Sequence, residues 1–221
     1  MLKAIIFDFD GTILDTEDAE YRTWQEVYAQ YGKELDLATW ATVVGTAGGS
    51  FDPVAHLEQL TGRRLPGADI RRRRRSRDLA LTGAMDARPG VRRVVAQAQQ
   101  QGIALAIASS SRHEWVERHL RRLGMLEAFS AICCSDDTGS GKPDPAVYLL
   151  ALQRLQVEAG EAVAIEDSPN GALAAGSAGV ACVVVPNAVT STFVFPPVAR
   201  RVESLEGMTL PMLAELTVRT A

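Results

Sequence analysis

Two carboxylates separated by one residue close an apolar run near the start of the chain, Ala4-Ile5-Ile6-Phe7-Asp8-Phe9-Asp10-Gly11-Thr12. The run is short, apolar on both faces and rich in β-branched and aromatic residues, the composition of a central strand in a parallel sheet. Sheets of that kind bind ligands at the carboxyl ends of their strands. Gly11 permits a sharp turn there, so Asp10 can swing over a group held by Asp8. Two carboxylates this close repel each other and favour a divalent cation with oxygen ligands, most simply Mg²⁺. The plainer alternative is a strand end capped by acidic turn residues.

Three later junctions have the same form. Ile103–Ala108 runs into Ser109-Ser110-Ser111-Arg112, where hydroxyls, a cation and the N–H groups of a helix starting near His113 suit the oxygens of a phosphate. A serine there also serves as a helix cap. In Gly139-Ser140-Gly141-Lys142-Pro143-Asp144-Pro145 a lysine is held between glycines and prolines, support that a surface lysine does not need. Near Asp8 its charge would offset the carboxylates and the phosphoryl oxygens. This is not a phosphate-cradling P-loop, because the glycine spacing is absent and proline follows the lysine. Last, Ala162–Ile165 ends in Glu166-Asp167-Ser168-Pro169-Asn170-Gly171. With Asp8 and the Asp10 carbonyl, that second acidic pair makes an oxygen set suited to a Mg²⁺ that keeps several waters. Any one junction alone reads as a cap; four in order are hard to ascribe to capping.

In order and spacing, Asp8-Phe9-Asp10-Gly11-Thr12, Ser109, Lys142 and Glu166-Asp167 resemble the four motifs of the haloacid dehalogenase-like hydrolase superfamily, over nearly the whole chain. The layout is similar to the branch with a helical cap inserted after the first motif, which includes β-phosphoglucomutase and small sugar-phosphate phosphatases. The resemblance implies that Asp8 is the nucleophile forming an aspartyl-phosphate and Asp10 the general acid/base, with Ser109 and Lys142 stabilising phosphoryl group and nucleophile. It implies Mg²⁺ held by Asp8, the Asp10 carbonyl and Asp167, with Glu166 coordinating it or standing just behind. Gly11, Thr12, Ser110, Ser111, Arg112 and, from the cap, Gly45 are the expected phosphate and substrate contacts. The second aspartate argues against dehalogenation, since an alkoxide leaving group needs a proton donor.

One departure bears on the activity. The cap loop Gly45-Thr46-Ala47-Gly48-Gly49-Ser50-Phe51-Asp52 lacks the arginine with which β-phosphoglucomutase grips a distal phosphate, and Glu20 replaces a basic histidine. A mutase must hold two phosphates at once, so the balance moves to a phosphatase. The loop is either a plain flexible connection or, through its small residues and Phe51, a lining laid close above substrate.

The elements that must position these residues follow a regular alternation. Strands are expected near Lys3–Asp8, Ile103–Ala108, Ala131–Cys134, Ala162–Ile165 and Ala181–Val185, with helices over Val91–Gln101, Pro145–Leu155 and Met208–Leu216. The fold class is α/β, a Rossmann-like parallel sheet flanked by helices with right-handed crossovers. Residues 1–15 and 85–221 form its core, and residues 16–84 an inserted helical cap. Tethers near Leu14–Glu17 and Thr82–Arg88 would be hinges, and closure would exclude water until substrate is seated.

Composition narrows the function classes. With 221 residues, 47% of them hydrophobic, the chain can bury one full core and a small satellite. A net charge of −4 gives no general affinity for polyanions. Arg71 to Arg75 and Arg77 are the exception, but successive residues turn about 100° each round a helix and cannot make one basic face. They read as solvated, leaving open that one arginine reaches the cleft; nucleic acid is not an expected partner. No leader or membrane segment is expected, since strand one starts near Met1 and its apolar run is too short to span a bilayer. Three cysteines, Cys133 and Cys134 adjacent and Cys182 in an apolar strand, read as reduced thiols in a cytoplasm. His113, just past the serine loop, reads as a helix-start residue with substrate contact as the alternative, and His56 and His119 as helix-surface residues, none with a partner at metal-ligand spacing; Trp24 and Trp115 read as packing residues rather than stacking platforms. The reading is a hydrolase that moves phosphate from a sugar or polyol phosphate to Asp8 and then to water, acting as a monomer or weak homodimer. A mutase would yield an isomer instead of free phosphate, and a silent scaffold would lack a motif residue.

Overall fold

Ala4, Ile5, Ile6 and Phe7 are wholly buried because strand β1 (Ala4–Phe7) lies in mid-sheet with helices on both faces. The computed structural model describes residues 1–41, 51–197 and 199–217. Among the described residues, β1 is followed by helices α1 (Thr16–Gln30), α2 (Leu37–Ala41), α3 (Pro53–Thr61) and α4 (Gly67–Ala84). The chain then alternates through α5 (Val91–Gln100), β2 (Ala104–Ala108), α6 (His113–Arg122), β3 (Ala131–Cys133), α7 (Ser135–Thr138) and α8 (Ala146–Leu155). It ends with β4 (Ala162–Glu166), α9 (Pro169–Ser177), β5 (Ala181–Val184), β6 (Ala199–Arg201) and α10 (Leu210–Thr217). The sheet order is β3-β2-β1-β4-β5-β6, with neighbouring strands paired in parallel. Ile6 stands opposite both Ala106 and Ala164, so the carboxyl ends of β2, β1 and β4 reach the same level side by side.

The two faces of the sheet are packed differently. Ile5 and Phe7 point into a cluster of large side chains with Val91, Leu120, Phe129 and Leu213. Ala4 and Ile6 point the other way, into a face paved with Ala106, Ala108, Ala162 and Ala164, against which Tyr148, Ala151, Ala172 and Ala175 of α8 and α9 pack. The edge strand β6 went unanticipated, because Ala-Arg-Arg carries no apolar run and joins the sheet through its backbone pairing with β5.

Helices α1 to α4 share a separate apolar cluster, with Trp24, Tyr28, Trp40, Leu57 and Ile70 buried among them. The Tyr28 hydroxyl donates to the Pro53 carbonyl at 2.8 Å, and Asp52 caps α3 by accepting from Val54 N–H at 2.8 Å. The arginine run is largely solvated, as expected: Arg71 pairs with Asp52 at 2.6 Å, Arg73 with Asp69 at 2.9 Å and Arg77 with Glu26 at 3.0 Å, all exposed contacts of small energetic weight. Arg74 differs. Its side chain is only 13% exposed, reaches Glu20 at 3.0 Å and lies over the Trp24 ring. No helix among the described residues is long and apolar enough to cross a membrane.

His119 corrects the sequence reading. It lies on the inner face of α6 with Val116 and Leu120, 2% exposed, and neither ring nitrogen has a hydrogen-bond partner among the described residues. Burial, aided by the nearby Arg122 and Arg118 charges, pushes its pKa down to about 4. Because the folded value lies below the unfolded one near 6.5, the unfolded chain takes up the proton first, and stability falls as pH drops from 6.5 towards 4. Urea unfolding across that range should show the wild type losing about 3 kcal/mol relative to His119→Leu, whose pH dependence lacks this component.

Candidate active site

The ends of β1, β2 and β4 converge on one buried ammonium. Lys142, 5% exposed, sits in the loop between α7 and α8, where its backbone N–H donates to Ser110 Oγ at 3.0 Å. Gly141 keeps that contact open, since a Cβ there would stand 3.2 Å from the Ser110 hydroxyl oxygen. Lys142 Nζ donates to Asp8 Oδ1 at 2.6 Å and to Glu166 Oε1 at 2.5 Å. Tyr148 OH also donates to Glu166 Oε1, at 2.6 Å, while Glu166 Oε2 accepts from the Asp167 backbone N–H at 3.2 Å. Burial pushes the Glu166 pKa up to about 7 against the pull of Lys142. Burial acts to lower the Lys142 pKa, but the two carboxylates together outweigh it and hold the ammonium above the usual lysine range.

Asp167 completes the floor, and two glycines make room for it and for Glu166. Gly11 has φ +79°, and a Cβ there would lie 2.2 Å from Asp167 Oδ2; a Cβ on Gly171 would lie 2.0 Å from the Glu166 carboxyl. Asn187 Nδ2 donates to Asp167 Oδ2 at 2.7 Å, and Asn187 Oδ1 accepts from Val189 N–H and Thr190 N–H at 2.9 Å each. Arg88 fastens the turn after β1 to the segment after β5: its guanidinium donates to the carbonyls of Gly11, of Val185 at 2.9 Å and of Pro186 at 2.9 Å.

The residues present fit a hard divalent cation. Asp8, Glu166 and Asp167 are all buried and offer oxygens within 4.8 Å of one another. Asp8 Oδ2 is buried with no hydrogen-bond partner among the described residues. Burial, then the Asp8 and Glu166 charges, hold the Asp167 pKa well above the usual carboxylate range, so this acidic group lacks the positive charge that would balance it.

Asp10 is held by three donors: Ser111 Oγ at 2.6 Å to Oδ2, and Trp115 Nε1 at 2.8 Å and Thr16 Oγ1 at 3.0 Å to Oδ1. Ser109 is buried and accepts from Ser111 N–H at 3.0 Å. A cavity of about 780 Å³ opens above, with Asp8, Asp10, Ser109, Lys142 and Asp167 on one side and Glu17, Glu20, Arg74, Arg75 and Asp78 of α1 and α4 on the other. Burial, then the neighbouring carboxylates Glu20, Asp10 and Asp8, push the Glu17 pKa up to about 8.

Asp8, Asp10, Ser109, Ser110, Ser111, Arg112, Lys142 and Asp167 thus all line one cavity, while Thr12, Gly11 and Glu166 lie buried at or behind its floor. Gly45 and the cap loop around it lie outside the described residues. Trp115 packs against the core, as expected, and its N–H also bonds Asp10. Contrary to the spacing in sequence, Cys134 and Asp136 place ligand atoms within 4.8 Å of His113. Both its ring nitrogens are already engaged, by Asp137 at 2.8 Å and Glu117 at 3.2 Å. Arg88, Thr16, Tyr148 and Asn187 were not singled out, since nothing in residue type or spacing marks them.

A model of the family described as haloacid dehalogenase-like hydrolase matches residues 5–185. YhcW of Bacillus subtilis, provisionally named a phosphatase, is 42% identical over 215 residues, covering 97% of each chain. A phosphorylated carbohydrates phosphatase of Thermotoga maritima is 31% identical over 179 residues, covering 81% of this chain and 82% of that one. The crystal structure of CbbY from Rhodobacter sphaeroides in complex with phosphate superposes with a TM-score of 0.75 at 33% identity, over 96% of this chain and 99% of that one.

The acidic floor makes a two-sided prediction for thermal unfolding. Saturating Mg²⁺ should stabilise the wild type by about 2–4 kcal/mol. Asp167→Asn should raise the melting temperature of the metal-free protein, by relieving buried like charge, and abolish the Mg²⁺ shift.

Proposed function

The chain belongs to the haloacid dehalogenase-like hydrolase family and acts on phosphoric monoesters; within that family we propose that it is a Mg²⁺-dependent phosphatase of sugar or polyol phosphates, working through an aspartyl-phosphate on Asp8. The observation that carries this reading is the state of Asp8 on the cavity floor: one carboxylate oxygen is bonded to the Lys142 ammonium and the other is buried with no hydrogen-bond partner among the described residues, with Asp10 on the same wall.

In the proposed reaction the Asp8 carboxylate attacks phosphorus, a P–O bond forms and the ester P–O bond breaks. Protonated Asp10 gives its proton to the departing alkoxide, which leaves as an alcohol. Asp10, now ionised, takes a proton from water; the water oxygen attacks the acyl phosphate and releases inorganic phosphate, restoring Asp8. Lys142 neutralises Asp8 during the approach of a second anion, and Glu166 and Tyr148 fix Lys142 in that position. Ser109 and the Ser110 to Arg112 loop receive the phosphoryl oxygens. Asp8, Asp167 and the Asp10 carbonyl would hold Mg²⁺, which supplies charge stabilisation to the phosphoryl group. Such transfers need little beyond in-line placement and neutralised charge.

The cavity wall supports a hydroxyl-rich substrate, because the carboxylates of Glu17, Glu20 and Asp78 and the guanidinium groups of Arg74 and Arg75 offer polar partners to many hydroxyls. The Thermotoga maritima relative, named for phosphorylated carbohydrates, supports the same class. A mutase is disfavoured because residues 45–52 carry no cation to hold a second phosphate. Residues 16–84 would act as the cap, closing over this floor about hinges at Leu14–Glu17 and Thr82–Arg88. The free, buried cysteines suit a cytoplasmic enzyme.

Phosphate release from a panel of phosphorylated metabolites, with and without Mg²⁺, tests the reading. Metal-dependent release should fall at least about 10³-fold in Asp8→Asn. No release from any substrate, or full activity in Asp8→Asn, would overturn it; an isomeric sugar phosphate as product would indicate the mutase.

A further inference from the structure

The donors around Asp10 are not equivalent. A serine or threonine hydroxyl can donate to a carboxylate and then turn to accept from a carboxylic acid, whereas an indole N–H can only donate. Trp115 Nε1 bonds Oδ1 at 2.8 Å, and Ser111 Oγ bonds Oδ2 at 2.6 Å. Oδ1 therefore stays an acceptor for as long as the indole is in place, and an added proton can reside on Oδ2, where the Ser111 hydroxyl can accept from it.

The indole is held from the core side of the cleft. Trp115 is the third residue of α6, its ring edge-on to His119 with centroids 4.3 Å apart. His119 is itself buried, 6.2 Å from the ring of Phe9, the residue between the two aspartates. The other donor to Oδ1 is Thr16, the first residue of α1. Thr16 lies at a proposed hinge of the cap, so its bond depends on where the cap stands, whereas the Trp115 bond is made between groups of the core.

Resting on Asp10 as the general acid/base, we infer that Trp115 is a positioning residue for it: the indole N–H pins Oδ1 and leaves Oδ2, beside Ser111, as the oxygen that carries the transferred proton. Trp115 touches neither phosphorus nor the attacking oxygen; it acts through the orientation of Asp10. Removing the N–H leaves Oδ1 with the Thr16 hydroxyl alone, which can accept as well as donate, so the proton can reside on either oxygen and the alkoxide departs unprotonated more often.

The test compares two leaving groups in Trp115→Phe, which keeps an aromatic ring against His119 and removes the donor together with part of the indole. An alkyl phosphate needs its leaving oxygen protonated, whereas 4-nitrophenyl phosphate releases a stable anion without help. Since kcat/KM covers the steps through transfer to Asp8, the variant should lose about 10- to 100-fold on the alkyl substrate and less than about threefold on the aryl one. Equal loss on both substrates, or no loss on either, overturns the inference and leaves the phosphatase reading intact; no phosphate release by the wild type from any phosphate ester overturns the reading itself. A second measurement does not depend on the variant's folding. In protein carrying ¹⁵N-labelled tryptophan, which has 3 indole N–H groups, Asp10→Ala should move one indole signal, and three unmoved signals overturn the inference.

Discussion

A lysine ammonium held out of water between two carboxylates is the constraint around which this molecule is arranged. Lys142 bonds Asp8 and Glu166 at 2.6 and 2.5 Å with almost no solvent contact, and a buried charge is tolerable only when it is fully paired. The pairing needs the ends of β1 and β4 at one level, which their shared register with β2 provides. It needs Gly171 beneath Glu166, Gly11 beside Asp167 and the Ser110 contact that fixes the Lys142 backbone. The acidic charge left after that pairing is what a divalent cation would complete.

The two walls of the cleft differ in kind. The floor is built from strand ends and short turns whose side chains are buried and bonded to one another. The opposite wall, from α1 and α4, carries half-exposed charges, with Arg74 reaching Glu20 across 3.0 Å. A floor of fixed groups suits a reaction common to many phosphate esters. A wall of adaptable charged groups suits discrimination among the alcohols attached to them.

Sequence reasoning served best where one segment carries its own signal. Strands β1 to β5 were legible as apolar runs; Asp8, Asp10, Ser109 and Asp167 stood out at the polar ends of such runs and Lys142 by the glycines and prolines around it, and all five line one cavity. Ala-Arg-Arg of β6 is a strand only because β5 offers it an edge. His119, with charged neighbours in sequence, is buried because Val116 and Leu120 set the inner face of α6. Trp115, Arg88 and Asn187 matter through bonds to residues about 20 to 105 positions away, and no local pattern encodes a contact of that range.

The alanine-paved face of the sheet sets a gauge for the chemistry on its far rim. Ala106, Ala108, Ala162 and Ala164 let α8 lie close to the strands, and α8 carries Tyr148, whose hydroxyl meets Glu166 at 2.6 Å. The thickness of this layer, one methyl group per residue, thereby calibrates how tightly the buried ammonium is gripped. A bulkier side chain here would touch no substrate and leave every polar residue unchanged, yet it would act as a shim under the helix. Drift in the catalytic rate among natural variants can therefore originate in hydrocarbon alone, on a surface that no ligand ever sees.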